Sequence, residues 1–597
     1  MIMKKYLLLF VTVAALLSPA FIHSCANTTQ APSGGSKDTI PPYIVNITPL
    51  PGAVSFPLEK GKIVFEFNEY VSIKSASDIF LSPPQEKRPK SRISGKKLII
   101  SFEDPLEANT TYTLNLNAAI ADNNEGNKFP GFTYAFSTGP AIDSMFITGT
   151  VLDCNTLSPA KGATVLLYKD HSDSAVFLKR PYAAGKTDDW GYFALPFIQD
   201  TSYRLYAIKD IGADNIYNPD VDQIAFIDSL IRPKWKVADT IPELLKYDMT
   251  DTLGCQERKS EYELKLFREH PSKQFIVNKV RTAPKSAYIT FQAPDAWIDS
   301  LWMGGYRADQ VITQFNLQQD SLEIWLNDRR NAPDTLHLFV NYRKTDSLGV
   351  LRPELEHIRL VMEADVKKKY AKSRRKDLKH EDTICVFKLT AEPEKVEQEG
   401  FSLEFNYPII YDHFDSIVFR YVNPRQKEFF DKLTVERDSL NLRRYILRPK
   451  VKFQPGFDYF LKVPHRAFRD ITGHWSDSTE VKVSLPTDEA LSTLNVVFTG
   501  VDRKFIVDLL DEKRSKSLRH YILEKDCTLT FPYLKEGKYS IRVADDGNRN
   551  SIVDTGDLLS HRQPEAVKFV VFGKSEYLDI MKSAEVEQNV DLKTLFK

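Results

Sequence analysis

Cysteine is scarce in this chain of 597 residues, with five in all. Cys154, Cys255, Cys385 and Cys527 stand far apart, and neither a Cys-x-x-Cys pair nor a Cys/His cluster at zinc spacing occurs. Local disulfide stapling and structural zinc drop out, and these four read as buried free thiols. Net charge is missing as well, because 80 Lys and Arg balance 80 Asp and Glu. No global field is available to hold a polyanion, so nucleic acid leaves the expected partners. The apolar run from Tyr6 to Leu17 has 12 residues, short of the ~20 that a spanning helix needs. Catalytic signatures are absent too: no Gly-x-Ser-x-Gly elbow, no His-Glu-x-x-His, no Walker loop, and no Gly-x-Gly-x-x-Gly after a strand. His465 and His474 are near neighbours with no third ligand or base beside them. The expectation is a protein that is not an enzyme.

What is present points to β-structure. Hydrophobic residues make up 42% and aromatics 12%, with 37 Phe and 26 Tyr. That is too rich for disorder, and it suits half-buried pleated surfaces. At ~100–200 residues per domain the length predicts several units.

The N-terminus sets an address. Lys4 and Lys5 precede the short apolar run, which is the layout of a signal peptide over residues 1–24. Ile22-His23-Ser24-Cys25 resembles a bacterial lipobox, which implies lipidation at Cys25. The alternative is an ordinary secretory signal with an incidental cysteine. Acyl chains there give a stable membrane anchor, and the polar stretch 25–37 reads as a tether. The implied place is the outer membrane, with the periplasmic or surface face left open.

Further on, short alternating strands recur between turn signals, as in Ile63-Val-Phe-Glu-Phe67 and Lys97-Leu-Ile-Ile-Ser-Phe102. Together with Pro41-Pro42, Asn109-Thr-Thr-Tyr112, Asp122-Asn-Asn-Glu-Gly126 and Phe136-Ser-Thr138-Gly139, they make residues 38–140 resemble the bacterial Ig-like domain of the S-layer type. Residues 145–230, with Gly149-Thr-Val-Leu-Asp153 and Thr187-Asp188-Asp-Trp-Gly191-Tyr-Phe193, resemble the carboxypeptidase-regulatory, transthyretin-like sandwich. In that family the module is non-catalytic. The second half repeats the first. Leu403-Glu-Phe-Asn406 matches Phe65-Glu-Phe-Asn68, the approach to Tyr459 matches the approach to Tyr112, and Asp470-Ile-Thr-Gly473 matches the Asp122 turn. A second Ig-like domain is expected over 384–487 and a second transthyretin-like domain over 493–575. Strand patterns across 260–365 predict a diverged Ig-like sandwich, and residues 366–382 form a basic linker. The fold class is therefore mainly β, with tandem Ig-like and transthyretin-like β-sandwiches. The arrangement as a whole resembles a family of Ig-like lipoproteins of Bacteroidetes. Five modules in a row, each with a ~13 Å radius of gyration, reach on the order of 150 Å.

Two loops carry candidate chemistry. Asp546, Asn548, Asn550, Asp554 and Asp557, with the carbonyl of Ile552, fall at alternate positions of one loop. A hard cation wants six to eight oxygens at ~2.3–2.6 Å, and Ca²⁺ suits that spacing. The earlier module offers a poorer set in Asp210, Asp214 and Asn218. Polar turns with Asx hydrogen bonds are the alternative for both loops. Trp190, Trp297, Trp302 and Trp475 are candidates for glycan capture, or else core residues of their own modules. The partners expected are the membrane through its anchor, other envelope proteins and glycans, with a scaffold role leading and adhesion second.

Overall fold

The computed structural model describes residues 38–116, 119–236, 260–328, 330, 332–362, 384–487 and 491–597. The expected signal peptide, Cys25, the tether, Cys255 and the basic linker lie outside them. The chain divides into two compact units. One holds residues 1–145 with the short segments 196–199 and 235–257, and the other holds 146–195, 200–234 and 258–597.

The first unit is a β-sandwich. Ile44–Thr48, Lys62–Phe67, Lys97–Ser101 and Lys90–Ser94 form one sheet in that spatial order, and Phe80–Ser82, Thr111–Asn115 and Thr133–Ser137 form the other. Period-two alternation drives it. Ile63, Phe65 and Phe67 are buried while Lys62, Val64 and Glu66 face outward, as a pleated strand requires. In the core Tyr112 stacks on Phe136 at 5.4 Å, and its hydroxyl accepts the amide of Glu107 at 2.8 Å. Burial pushes the Tyr112 phenol up to about 12. Asp122 closes one turn by accepting from the amides of Asn124, Glu125, Gly126 and Asn127.

The second unit contains that architecture twice more. Residues 384–487 pair Phe387–Thr390, Phe401–Phe405, Arg444–Pro449 and Leu433–Arg437 in the order of the first sheet above. The same corner recurs, because the Tyr459 hydroxyl accepts the amide of Gln454, again five residues upstream, at 2.6 Å. Asp470 holds its turn through the amides of Thr472 and His474. The intervening module has Ile276–Ala283, Ser286–Phe291, Ser321–Leu326 and Val311–Phe315 facing Ile298–Met303, Thr335–Thr345 and Leu351–Val361.

The remaining two modules have seven strands in common, in a different topology. In the earlier one Tyr192–Ile198, Met145–Asp153 and Tyr262–Leu266 lie side by side, opposite Ala183–Lys186, Thr164–Tyr168, Arg204–Lys209 and Gln223–Phe226. In the later one Cys527–Leu534, Ser492–Thr499 and Glu585–Asp591 lie opposite Ser517–Leu523, Phe505–Leu510, Gly537–Asp545 and Val567–Phe569. Each is completed by a strand parallel to its first, Gly149 against Tyr262 and Thr493 against Glu585. This corrects two expected boundaries. Tyr262–Leu266 belongs with the module drawn at 145–230, not with 260–365, and the last module runs past 575 to take in Glu585–Asp591. Parallel pairing needs a long crossover, so both closing strands sit far from their partners in sequence.

Nor do the modules of the second unit run in a row. Arg443 forks onto Glu323 at 2.9 and 3.2 Å, and Arg519 donates to the Glu394 carbonyl at 2.9 Å. The last module also returns to the earlier seven-stranded one, through the loop described next. The linear reach expected from the module count is thereby lost for these four.

Candidate functional site

The loop predicted to hold calcium leaves the strand Gly537–Asp545 and returns as Val567–Phe569. Asp546 is buried at its root and accepts the amides of Asn550 and Ser551 at 2.9 and 2.8 Å. Asn548 and Asn550 turn their NH₂ groups onto one oxygen of Asp554 at 2.5 and 2.8 Å, and the amide of Ile552 donates to Asn550 Oδ1. Asp557 faces away and accepts from Ser560 at 2.8 Å. Lys504 brings its ammonium 3.8 Å from Asp546 and donates to Ser551 Oγ at 2.7 Å. Several of the oxygens singled out for a hard cation thus accept hydrogen bonds within the loop, and the Lys504 ammonium lies beside Asp546. As folded, these residues make the hydrogen bonds of a polar turn. Glu565, which the spacing did not single out, braces the loop through the amides of Gly547 and Asp554, both at 2.9 Å. Burial raises its pKa.

The earlier loop is built alike. Asp210 accepts from Ala213 and Asn215 at 2.5 and 2.7 Å. Asp214 caps Ile216, and Asn218 caps Asp220. Asp222, also missed from sequence, is buried and ties the amides of Ile211 and Asn218 together.

What the later loop does is dock. Its far side, residues 555–563, seats on the earlier seven-stranded module. Thr555 Oγ1 donates to the Arg268 carbonyl at 2.7 Å, and the Leu558 amide donates to Glu269 at 2.5 Å. The second oxygen of Glu269 accepts the Tyr217 hydroxyl at 2.6 Å. Burial and the Glu269 carboxylate push that phenol far above its ordinary range, so it stays a donor. His561 lies between Asp173 and Asp228 at 3.2 and 3.6 Å, and Gln563 donates to the Phe226 carbonyl at 3.2 Å. Gly556 lies against the ring of Phe267, where a Cβ would fall 2.6 Å from Cζ.

The most strongly perturbed acid of the last module is Asp508, on Phe505–Leu510 and 2% exposed. It accepts from His520 Nδ1 at 2.9 Å, Arg542 at 2.7 Å and Ser517 Oγ at 2.9 Å. Burial alone would raise its pKa, but the hydrogen bonds of His520 and Arg542, with the charge of Arg542, outweigh it and hold the group at about 2. The same hydrogen bond raises the pKa of His520. The carboxylate's contribution to stability is full above pH ~4 and vanishes as pH falls toward its folded value. That of His520 is full below pH ~6.5 and fades as pH rises through its raised value. Asp508→Asn is expected to cost ~3 kcal/mol. The deficit in melting temperature should be largest between pH ~4 and ~6.5, and a pH-independent deficit would refute the assignment.

The other candidate residues lie apart. Cys154 and Cys385 are buried free thiols and Cys527 is half-buried, with burial pushing the Cys154 thiol up to about 12. His465 pairs with Asp477 at 3.3 Å, whereas His474 faces Thr472 Oγ1 at 2.8 Å. Trp190, Trp297 and Trp302 are 75%, 66% and 43% exposed, so the core reading fails for all three. Trp475 is half-buried against Tyr411 and Arg469.

These features define a protein of tandem β-sandwiches, those of the second unit tied together by side-chain and loop contacts. Residues 38–138 match the family model of the bacterial Ig-like domain. Among solved structures the chain is similar to the S-layer protein rSbsC(31-844), at 11% identity over 85% of this chain and 53% of that one, with a TM-score of 0.13. This chain therefore spans about half the length of that relative. It is also similar to BcpA, the major pilin subunit of Bacillus cereus, at 10% identity over 75% and 99% of the two chains, with a TM-score of 0.13. The BSP domain of a biofilm associated protein is similar at 8% identity over 91% and 100%, also with a TM-score of 0.13. No curated protein matches the chain.

Proposed function

We infer that this chain is a non-catalytic scaffold of the bacterial envelope, lipid-anchored at Cys25, whose sandwiches hold partner-binding edges and loops in fixed relation. The observation that carries this reading is the seat around Glu269. It joins the first and last modules of the four-module unit, so the loops of these modules keep their spacing instead of moving as beads on a string. A structural or adhesive role uses such a body directly, because strand edges and loop ends are where sandwiches add partners. In this reading the outer membrane is the location, envelope proteins are the partners, and the seven-stranded modules are transthyretin-like accessories.

Two measurements test it. Cys25→Ser should move the protein from the membrane fraction to the soluble one and abolish incorporation of labelled palmitate; a wild type that takes up no label refutes the anchor. Photo-crosslinking from Trp297 in intact cells should then capture an envelope component, and capture of nothing above the level of a buried control position refutes the scaffold. A second reading, adhesion through glycans, is favoured by the open indoles of Trp190 and Trp297. Retention on envelope polysaccharide that disappears on changing both to Ala supports that reading.

A further inference from the structure

Ile298–Met303, Thr335–Thr345 and Leu351–Val361 form a three-stranded sheet in that order. Leu338, Val340, Tyr342 and Ile358 turn to the core, so the odd-numbered residues of the two long strands stand on the outer face. There the register sets Trp302, Phe339 and His357 in one row and Ser300, Asn341 and Leu355 in the next. Leu351, Leu355 and Val361 are at least half exposed on one edge strand, and the indoles of Trp297 and Trp302 are open at the opposite margin. An outward strand face is ordinarily polar, as in Lys90–Ser94, whose exposed residues are Lys, Arg and Ser. A contiguous apolar patch of this extent marks an interaction surface.

We propose that this face is the contact between two copies of the chain, related by a two-fold axis that passes over Phe339. Charge and size both select a second copy. Arg359 is exposed at one corner of the face, level with His337, and among the described residues no carboxylate lies within ion-pair distance of it. Asp299 stands toward the diagonally opposite corner, since its neighbours Ile298 and Ser300 are level with Tyr342 and Asn341. The midpoint between the two corners is Phe339 on the central strand. A two-fold axis lying in the interface at that point exchanges the corners, so each copy's Arg359 meets the other's Asp299 and both pairs form at once. Asp299 already accepts from Trp297 Nε1 at 3.1 Å and from Arg343 Nε at 3.2 Å. A carboxylate offers about four acceptor sites, so room for a second guanidinium remains.

Strands that rise ~3.3 Å per residue and lie ~4.8 Å apart give these three a footprint of about 450 Å². Burying it on both copies removes ~900 Å² before the relief of the side chains is counted, which brings the contact to the ~1,000 Å² that a specific interface should clear. The dimer is therefore a small one, and dissociation in the micromolar range is expected. Little side-chain freedom is lost on closing. Trp302 lies parallel to Phe339 at 5.2 Å and Phe339 to His357 at 4.5 Å, so the rings at the centre are already held by one another. Indoles at the margin and an arginine at the corner are side chains that commonly dominate such contacts.

The test is sedimentation velocity on the mature full chain carrying Cys25→Ser, from ~1 to ~100 μM, where a reversible equilibrium between monomer and dimer should appear. Leu355→Glu, Arg359→Asp and Asp299→Arg, all at exposed positions, should each weaken dimerisation at least ~10-fold while the melting temperature stays that of the parent chain. Mixing equal amounts of the Arg359→Asp and Asp299→Arg chains should restore dimers, because every facing pair is then again Asp against Arg. A parent chain that stays monomeric throughout the range overturns the proposal, also where it binds polygalacturonate through this face instead. So does a dimer that Leu355→Glu leaves intact, or a mixture of folded charge variants that associates no better than its components.

Discussion

Gly556→Val is expected to separate the last module from the seat on the earlier one while leaving each sandwich folded. A Cβ at this position meets Phe267 at 2.6 and 2.8 Å and the Arg562 carbonyl at 2.8 Å. None of these neighbours is free to give way. Phe267 is buried, exchanges both backbone hydrogen bonds with Ile224, and meets Phe226 edge to face at 6.0 Å. The Arg562 carbonyl accepts the Asp557 amide at 2.8 Å. Overpacking of this kind typically costs 1–3 kcal/mol, roughly, even where neighbours relax, and rigid neighbours on two sides place this site at the upper end. The loop must therefore lift, and the Thr555, Leu558, His561 and Gln563 contacts go with it. Small-angle scattering should show a larger radius of gyration, and amides around 224–228 and 267–269 should exchange faster. Gly547→Ala is the control, because a Cβ there meets nothing nearer than Glu565 at 3.8 Å. Unchanged scattering and exchange in Gly556→Val would mean that the seat does not hold the modules together.

That seat shows where reading the sequence stops. Strands that alternate, such as Lys62–Phe67, announce themselves because each buried side chain is two residues from the next. The repeated corner is legible for a similar reason, since Tyr112 and Tyr459 each bond an amide five residues upstream and so keep a local signature. The Asp122 and Asp470 turns are likewise local. The seat has no such signature. Asp173, Tyr217, Asp228 and Glu269 come from separate stretches of one module and serve a seat for a loop 289 to 388 residues further on. The spacing of Asp546, Asn548, Asn550 and Asp554 is visible, but Lys504, just before Phe505–Leu510, and Glu565, at the far end of the same loop, brace it from outside that spacing. Alternating oxygens specify a tight polar turn equally well, and only the surrounding donors distinguish the two outcomes.

Arg281→Met should produce a large loss of stability in the module spanning 276–362. The guanidinium is 1% exposed. It donates to the carbonyls of Asp334 at 2.9 Å, Pro333 at 2.9 Å, Pro284 at 2.7 Å and Leu360 at 3.4 Å. These acceptors belong to the turn after Ile276–Ala283, to the approach to Thr335–Thr345 and to the end of Leu351–Val361, so one side chain pins both sheets at the same end. Burial lowers its pKa, yet arginine stays charged at any working pH. Methionine keeps most of the apolar stem and deletes every donor, leaving the four carbonyls to find water at a closed edge. Hydrogen bonds to a charged group contribute ~1.5–3 kcal/mol each before the cost of burying the charge. Removing the charge relieves that cost, together with the unpartnered Nε, so a net loss of ~3 kcal/mol is expected rather than the sum of four bonds. For a domain of this size that lowers the melting temperature by ~12 °C or more. Calorimetry should show this module unfolding ahead of the rest, with faster amide exchange in Ile276–Ala283 and Thr335–Thr345. Arg281→Lys separates charge from shape. It retains the cation but lacks the planar fork that reaches several acceptors at once, so it should recover only part of the loss. A Met variant within ~0.5 kcal/mol of wild type would mean that the sheets are held at this end by their apolar layers alone.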